Sequence, residues 1–340
     1  MVVLGESVVN PELVSHAGIN IGHGHVKLCT TAGVQQYAAV AYSPTRNADP
    51  ISSPVRANTQ TVHRGSKRFE VGAEAALLAD PSFDRRVFNK WGDSEIYAVL
   101  KQSVLDRLAL IGRGPWRVVL GLPVDHFLDM SYRQTLVRGW IGTHPTATGE
   151  VWIDQAVAIQ EPMGAFWDWA YTGENQSIAQ SREVVIVDIG YFTTDLNVVN
   201  RGVLNGELGG SIQTAMREVY RAIRHDMLAQ TGTTFSDLQL EMAVLGTWPL
   251  YQGNHSIDMN PYVHLAMSGV ANRLVSWIQN VVEVGNKVML VAGGGASLLM
   301  PHLRSAFPKA QLVMAHEPQL ANARGYFRVA KALRGAQQAA

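Results

Sequence analysis

Asp188 and Asp195 bracket a turn, Ile189-Gly190-Tyr191-Phe192-Thr193-Thr194, that follows the β-branched run Val184-Val185-Ile186-Val187. Such a run suits a strand covered on both faces, and Gly190 permits a turn whose backbone N–H groups face an anion. Two carboxylates with the hydroxyls of Thr193 and Thr194 between them are groups that hold magnesium and phosphate. The same pattern also fits an ordinary β-turn. Two further segments have matching chemistry. In residues 18–28 apolar side chains flank the turn Gly22-His23-Gly24 as in a hairpin, and Lys27 follows at a distance that returns its ammonium toward the turn. In residues 287–297 a buried strand runs into Gly293-Gly294-Gly295 and then a helix. Glycines there let a ligand approach the backbone, and the helix N-terminus favours phosphate.

Other nucleotide and metal chemistries are excluded by what is missing. No Gly-x-x-x-x-Gly-Lys-Ser/Thr is present, so a P-loop would lack its lysine. Gly22-x-Gly24 has Lys27 where a dinucleotide fingerprint needs its third glycine. His23 and His25 alternate without Cys or carboxylates nearby, which is a poor metal pair. The chain has 340 residues, with 28 basic residues against 28 acidic ones, so no global field steers it to nucleic acid or an anionic membrane. Its length suggests about two domains on a prior of ~150 residues each. Cys29 is the single cysteine, which excludes an intramolecular disulfide and suits a reducing cytoplasm and a packed small residue. The first fifteen residues lack the basic start of a signal peptide, and no run reaches the ~18 apolar residues of a membrane span. The expectation is a soluble cytoplasmic protein.

These segments need elements to hold them. Residues 18–28 and 37–43 read as strands, 44–58 as an exposed excursion, 59–71 as a hairpin around Arg64-Gly65-Ser66, and 73–78 as a short helix. The linker 80–92, with Arg85, Arg86 and Lys90, reads as a solvated loop or a partner surface. Ser94 caps a helix through 110, in which Ile96, Val99, Leu100, Val104 and Leu108 recur at helical spacing. Strands follow at 116–124, ended by Gly121-Leu122-Pro123, and at 151–159. Next comes a helix whose Phe166, Trp167 and Trp169 suit core or interface packing. Glu161 opens that helix, where a carboxylate also suits the dipole. Residues 197–204 continue a hairpin, and Gly209-Gly210-Ser211 opens a helix to about residue 230. The last six residues are a tail expected to fray.

In this order and spacing, the three glycine-bearing segments resemble the phosphate-1, phosphate-2 and adenosine motifs of the actin-like ATPase superfamily. Residues 69–75, 118–123, 188–195 and 321–326 are similar to those of the bacterial plasmid-segregation actins, the ParM/StbA type and the PRTRC protein D group. The resemblance implies an α/β, ribonuclease H-like duplicated fold with two domains flanking a nucleotide cleft. Domain I would span 1–178, with a small subdomain at about 41–93 and a C-terminal helix at 319–335 completing it. Domain II would span 179–318. It implies ATP and Mg²⁺ as cofactors, with phosphates gripped by Asn20, Gly22, Gly24 and Lys27 from one side and by Gly190, Thr193 and Thr194 from the other. Gly209 and Gly210 would touch ribose and phosphates, Gly293, Gly294 and Gly295 would border adenosine, and Glu218 and Arg221 lie near adenine-side contacts. Asp188 and Asp195 would organise magnesium through water. Glu161, three before the small residue Gly164, would align the water that attacks the γ-phosphate. Function follows as an ATPase that assembles with itself into nucleotide-dependent filaments and segregates plasmid DNA through a DNA-binding adaptor, without direct nucleic-acid or membrane contact. Asn20 departs from the family, where an aspartate normally helps hold magnesium. Losing that charge is expected to weaken the cation site and slow hydrolysis. This leaves a slow ATPase, an engineered hydrolysis-defective variant, or a non-polymerising nucleotide switch that acts through a protein partner. Tyr191 and Phe192 also replace small residues in the second phosphate loop. A small-molecule kinase would share the fold but needs a substrate-binding carboxylate that the first domain does not offer.

Overall fold

The structure, a computed structural model, describes residues 14–44, 59–72, 75, 85 and 87–333. Two sheets are built to one plan. In the first, β1 (Ser15–Ile21), β2 (His25–Thr30) and β3 (Gly33–Ala38) form an antiparallel meander. A separate three-stranded sheet of β4 (Ala41–Tyr42), β5 (Gln60–Arg64) and β6 (Lys67–Val71) follows. The chain then returns in β7 (Trp116–Leu122), β8 (Gly142–Thr146) and β9 (Gly149–Gln160) to give the order β3-β2-β1-β7-β9-β8. The second sheet repeats this with β10 (Glu183–Ile189), β11 (Thr194–Asn200) and β12 (Val203–Ile212). After the two-residue strands β13 (Tyr251–Gln252) and β14 (His255–Ser256), β15 (Val288–Ala292) and β16 (Gln311–Met314) complete the order β12-β11-β10-β15-β16. β1, β7 and β9 run parallel in the first sheet and β10, β15 and β16 in the second, so helical crossovers are required and both faces are covered. Val184 to Ile189 and all of β15 are buried accordingly. The parallel strands β1, β7, β9, β10 and β15 end at Ile21, Leu122, Gln160, Ile189 and Ala292, beside a cleft lined by Ile21, Leu122, Glu161, Gly190 and Gly293, the edge where α/β sheets bind ligands.

Two helices brace the sheets reciprocally. Helix Glu161–Ala170 leaves β9 of the first sheet and packs on β10 and β11 of the second. Helix Ala321–Ala332 follows β16 of the second sheet and packs on β1 and β7 of the first. They cross at Gly164 and Gly325, where a Cβ on Gly325 would enter the Gly164 carbonyl. Only paired glycines permit backbones that close. Gly18 and Gly121 are likewise emptied of side chain where Ala323 and the Tyr326 ring sit, and Arg324 and Arg328 bind Asp168 across the crossing. Phe166, Trp169, Ile186, Leu290 and Ala321 fill the core between the first helix and the second sheet, as expected for those aromatics.

Several local expectations change. The meander contains β3, although Val34 to Gln36 are exposed and give no alternating pattern. Residues between β7 and β9 hold two short helices, Val124–Leu128 and Met130–Arg138, the second capped by Asp129 accepting from the Tyr132 N–H at 3.0 Å. Gly209, Gly210 and Ser211 do not open a helix. They continue β12 against Leu196 and Asn197 beyond a bulge, and the helix is Met216–Thr231. Ladder hydrogen bonds there outweigh the low strand preference of glycine. Arg85 is a correction of the solvated linker: it is buried and paired with Glu241 at 2.6 Å, whereas Lys90 is exposed. Ser94 caps helix Glu95–Ile111 as expected, with its hydroxyl accepting from the Tyr97 N–H at 3.0 Å. The expected excursion at 44–58, most of the helix at 73–78, and Arg86 lie outside the described residues. No helix among the described residues is long and apolar enough to cross a membrane.

Gly325→Ala is expected to cost about 3 kcal/mol by forcing the crossing apart. Gly269→Ala, in the helix Asn260–Val281 with open space around it, is expected to gain about 0.5–1 kcal/mol. Urea unfolding of both variants measures the contrast, and equal effects would contradict the crossing.

Candidate functional site

The two sheets present the same hairpin to the cleft with different residues at matched places. Asn20 is the next-to-last residue of β1 and pairs with Lys27 of β2, and Asp188 is the next-to-last of β10 and pairs with Asp195 of β11. The first hairpin therefore offers an amide and a cation, the second two carboxylates. Glu161, directly after β9, joins them in a cleft lined by Asn20, Lys27, Glu161, Asp188 and both turns.

Burial governs the acids. The Glu161 carboxyl is held well above the usual carboxylate range, first by burial and then by the charges of Asp195 and Asp188, against Lys27 and the Asn20 hydrogen bond. Asp188 is raised by burial, opposed by Lys27 and by Asn322, whose Nδ2 donates to Asp188 Oδ2 at 2.6 Å. Asp195 is pushed up to about 7 by burial, despite donors from Ser211 and the Val124 N–H at 2.8 Å. Val124 belongs to the first half and Ser211 to the second, so Asp195 Oδ1 clasps the two. Asp125 extends the clasp: its N–H donates to Ser211 Oγ and its Oδ1 accepts from the Ser211 N–H, both at 3.1 Å. Asn322 Oδ1 is buried without a hydrogen-bond partner, and the buried Asp195 Oδ2 has no donor beyond a weak contribution from the Thr193 hydroxyl. Unpaired oxygens beside acids that cannot all ionise unaided fit a hydrated cation. Among the described residues no three His, Cys, Asp or Glu side chains form a cage for a bare metal ion. The donor set therefore suits Mg²⁺ that keeps its waters and arrives with phosphate.

The second turn is oriented by helix Met216–Thr231, whose first N–H groups bond the carbonyls of Gly190 and Tyr191 at 3.3 and 2.8 Å. The turns nearly touch, since a Cβ on Gly24 would lie 2.7 Å from Tyr191 Cβ. His23 sits between Trp91 and Phe192, with ring centroids at 4.4 and 4.8 Å, and thereby joins the two turns. His25 meets Gln319 at 3.2 Å and Glu241 at 3.8 Å. Burial lowers both imidazoles to about 4, so they are neutral packing and hydrogen-bonding groups. Tyr191 reaches Asp237 with its hydroxyl and lies under the Arg85 guanidinium, which explains a bulky residue in this loop. Cys29 is buried, with its thiol pushed up to about 11, and is inert.

Of the residues named from the sequence, Asn20, Gly22, Gly24, Lys27, Glu161, Asp188, Gly190, Thr193, Gly293 and Gly294 line the cleft. Four others do not. Thr194 turns inward and donates to the Thr214 carbonyl at 2.7 Å. Gly209 and Gly210 lie in β12, and Gly295 packs against Ile189 and Met216, where a side chain would clash. Glu218 pairs with Arg221 at 3.3 Å on the surface. Asn322 lines the cleft and Tyr326 is buried behind it against Asn20 and Glu161, both without a role assigned from sequence. The signal for them is the Gly121 and Gly164 pair that makes room for a ring.

Two family models match the chain, "Actin like proteins N terminal domain" over residues 18–164 and "Archaeal actin homologue MreB-like, C-terminal" over 186–305. The chain belongs to the actin-like proteins. Solved structures carry the same fold across this actin-like chain. A ParM filament from Clostridium botulinum is 18% identical, with TM-score 0.74, covering 94% of this chain and 100% of that one. The archaeal actin homologue Ta0583 in complex with ADP is 18% identical, with TM-score 0.69 and coverage of 94% and 100%. The actin-like protein Alp7A is 16% identical, with TM-score 0.70 and coverage of 95% and 97%. No curated protein sequence matches.

A carboxyl whose native pKa lies above its unfolded value holds its proton more tightly when folded. Its stabilisation is therefore present at low pH and lost as pH rises from about 4 through about 7. For Asp195 the full loss is about 4 kcal/mol at most. Asp195→Asn keeps the acceptor for Val124 and removes the charge. In metal-free protein it is expected to raise the melting temperature by several degrees at pH 8 and by less than half as much at pH 5, measured by scanning calorimetry. A pH-independent difference would show that Asp195 ionises freely.

Proposed function

We propose that this actin-like protein binds ATP with Mg²⁺ between its two halves, hydrolyses it slowly, and assembles with itself into nucleotide-dependent filaments that segregate plasmid DNA in the cytoplasm through a DNA-binding adaptor. The observation that carries the reading is the convergence of Glu161 from the first sheet with Asp188 from the second on a cleft shared with Lys27, with Asp195 buried behind them close enough for its charge to act on Glu161. The ADP complex of one fold relative and the filaments of others support it. The proposed halves are residues 1–178, with the C-terminal helix, and 179–318.

When bound, Mg²⁺ supplies charge neutralisation of the phosphates and polarises the transferring phosphoryl group. The chain does the rest. Lys27 and the turns at Gly22, Gly24, Gly190 and Thr193 grip the phosphates, with Gly293 and Gly294 beside adenosine. Asp188 and Asp195, ionised once a cation offsets their burial, hold the cation's waters. Glu161 accepts a hydrogen bond from the attacking water and aligns it. Closure over one ligand draws the two halves together, and hydrolysis releases part of that bias. Asn20 supports the second reading, a switch that does not polymerise, because it adds no charge to the cation site.

Sedimentation with Mg²⁺ and ATP, ADP or no nucleotide is the test. Pelleting above a threshold concentration with ATP alone is expected. No pelleting by protein that binds ATP would select the switch. Glu161→Ala is expected to keep ATP affinity within about threefold while losing about 10²–10³ in turnover. Asp188→Ala is expected to abolish the Mg²⁺ dependence of binding in equilibrium titrations.

A further inference from the structure

Asn20 and Glu161 leave the first sheet from strands separated by β7, and they meet over it. Asn20 Nδ2 donates to Glu161 Oε1 at 3.3 Å and lies 3.5 Å from the Tyr326 hydroxyl. That hydroxyl in turn donates to the Glu161 carbonyl at 3.4 Å. Room for the phenol comes from Gly121 on β7 and Gly164 on the helix, where any side chain would overlap the ring. The amide oxygen of Asn20 faces the other way, 3.2 Å from the place a Gly22 Cβ would occupy. Asn20 is itself buried, so its orientation is set by these partners.

An aspartate at position 20 could not make this contact. Ionised, it has no hydrogen to give Glu161, and it would add a fourth carboxylate to a buried group whose three acids already resist ionisation. A buried acid beside another acid without a donor between them is strongly disfavoured. An amide satisfies the acid instead, by a hydrogen bond that is stronger when the acceptor is charged.

We propose that Asn20 is a positioning residue for Glu161: its amide hydrogen, backed by Tyr326, fixes the carboxylate that aligns the attacking water. Rather than a weakened cation ligand, Asn20 is the donor that a glutamate at position 161 requires. The role rests on the ATPase reading above, while the contact itself is independent of it.

Two measurements on Asn20→Asp, Asn20→Ala, Glu161→Gln and the double variant Asn20→Asp/Glu161→Gln test this. The first is melting without nucleotide or metal at pH 8. Asn20→Asp is expected to lose at least about 2–4 °C. The double variant is expected to recover more than half of the loss, because the introduced glutamine amide can donate to the introduced aspartate. Additive shifts would overturn the pairing. The second is steady-state hydrolysis with separate ATP and Mg²⁺ titrations. Asn20→Asp and Asn20→Ala are expected to lose at least tenfold in kcat with ATP affinity changed less than threefold. A rise in kcat and tighter Mg²⁺ saturation in Asn20→Asp would overturn the proposal and make residue 20 a cation ligand. If the natural chain binds no ATP, the function proposed above falls, and the melting coupling alone then decides for or against the Asn20–Glu161 clamp.

Discussion

Three carboxylates, Glu161, Asp188 and Asp195, are buried where two sheets face each other, and charge of one sign cannot be held there without compensation. Each acid is given a different partial remedy. Asn20 donates to Glu161, Asn322 donates to Asp188, and Ser211 with the Val124 N–H donates to Asp195. Lys27 opposes the shift at both Glu161 and Asp188. Every donor comes from a different element, so the acids are satisfied only when both sheets, the C-terminal helix and the loop after β7 are in place. The residual deficit is what a hydrated cation with a phosphate ligand would cancel.

Duplication explains how one chain arrives at such a site. The two hairpins have the same strand order and register, so residue pairs 20:27 and 188:195 occupy equivalent places. Their chemistry has diverged into an amide with a cation on one side and two acids on the other. The two hairpins are thereby complementary in charge. The crossing of Gly164 with Gly325 holds them at the distance where this matters, because each helix packs on the sheet that did not produce it.

The sequence made the framework legible through glycine turns that follow short buried strands. β1, β2, β10, β11 and β15 and the lining residues Lys27 and Asp188 could be read from local pattern, whereas Glu161 reads locally as a helix-start carboxylate and gained a site role only from the resemblance. β12 could not, because Gly209 and Gly210 look like a helix entrance and are held as strand only by pairing with Leu196 and Asn197. Thr194 reads as a ligand-facing hydroxyl, but alternation along β11 turns it to the domain interior. Arg85 reads as a surface cation in its own segment, and its partner Glu241 lies far along the chain. Asn322 at the cleft and Tyr326 behind it are visible as residues but not as site groups, since what places them is a helix returning across the first sheet. Local chemistry was thus readable, while contacts made by distant elements were not.

The central claim is that one nucleotide is held by both halves at once. Hydrogen exchange of the turns at 22–24 and 190–193, followed with Mg²⁺ and ATP against Mg²⁺ alone, tests it most directly. Simultaneous slowing of both turns over the same ATP concentration range is the predicted result. Protection of one turn alone, or of neither in protein that binds ATP, would contradict it.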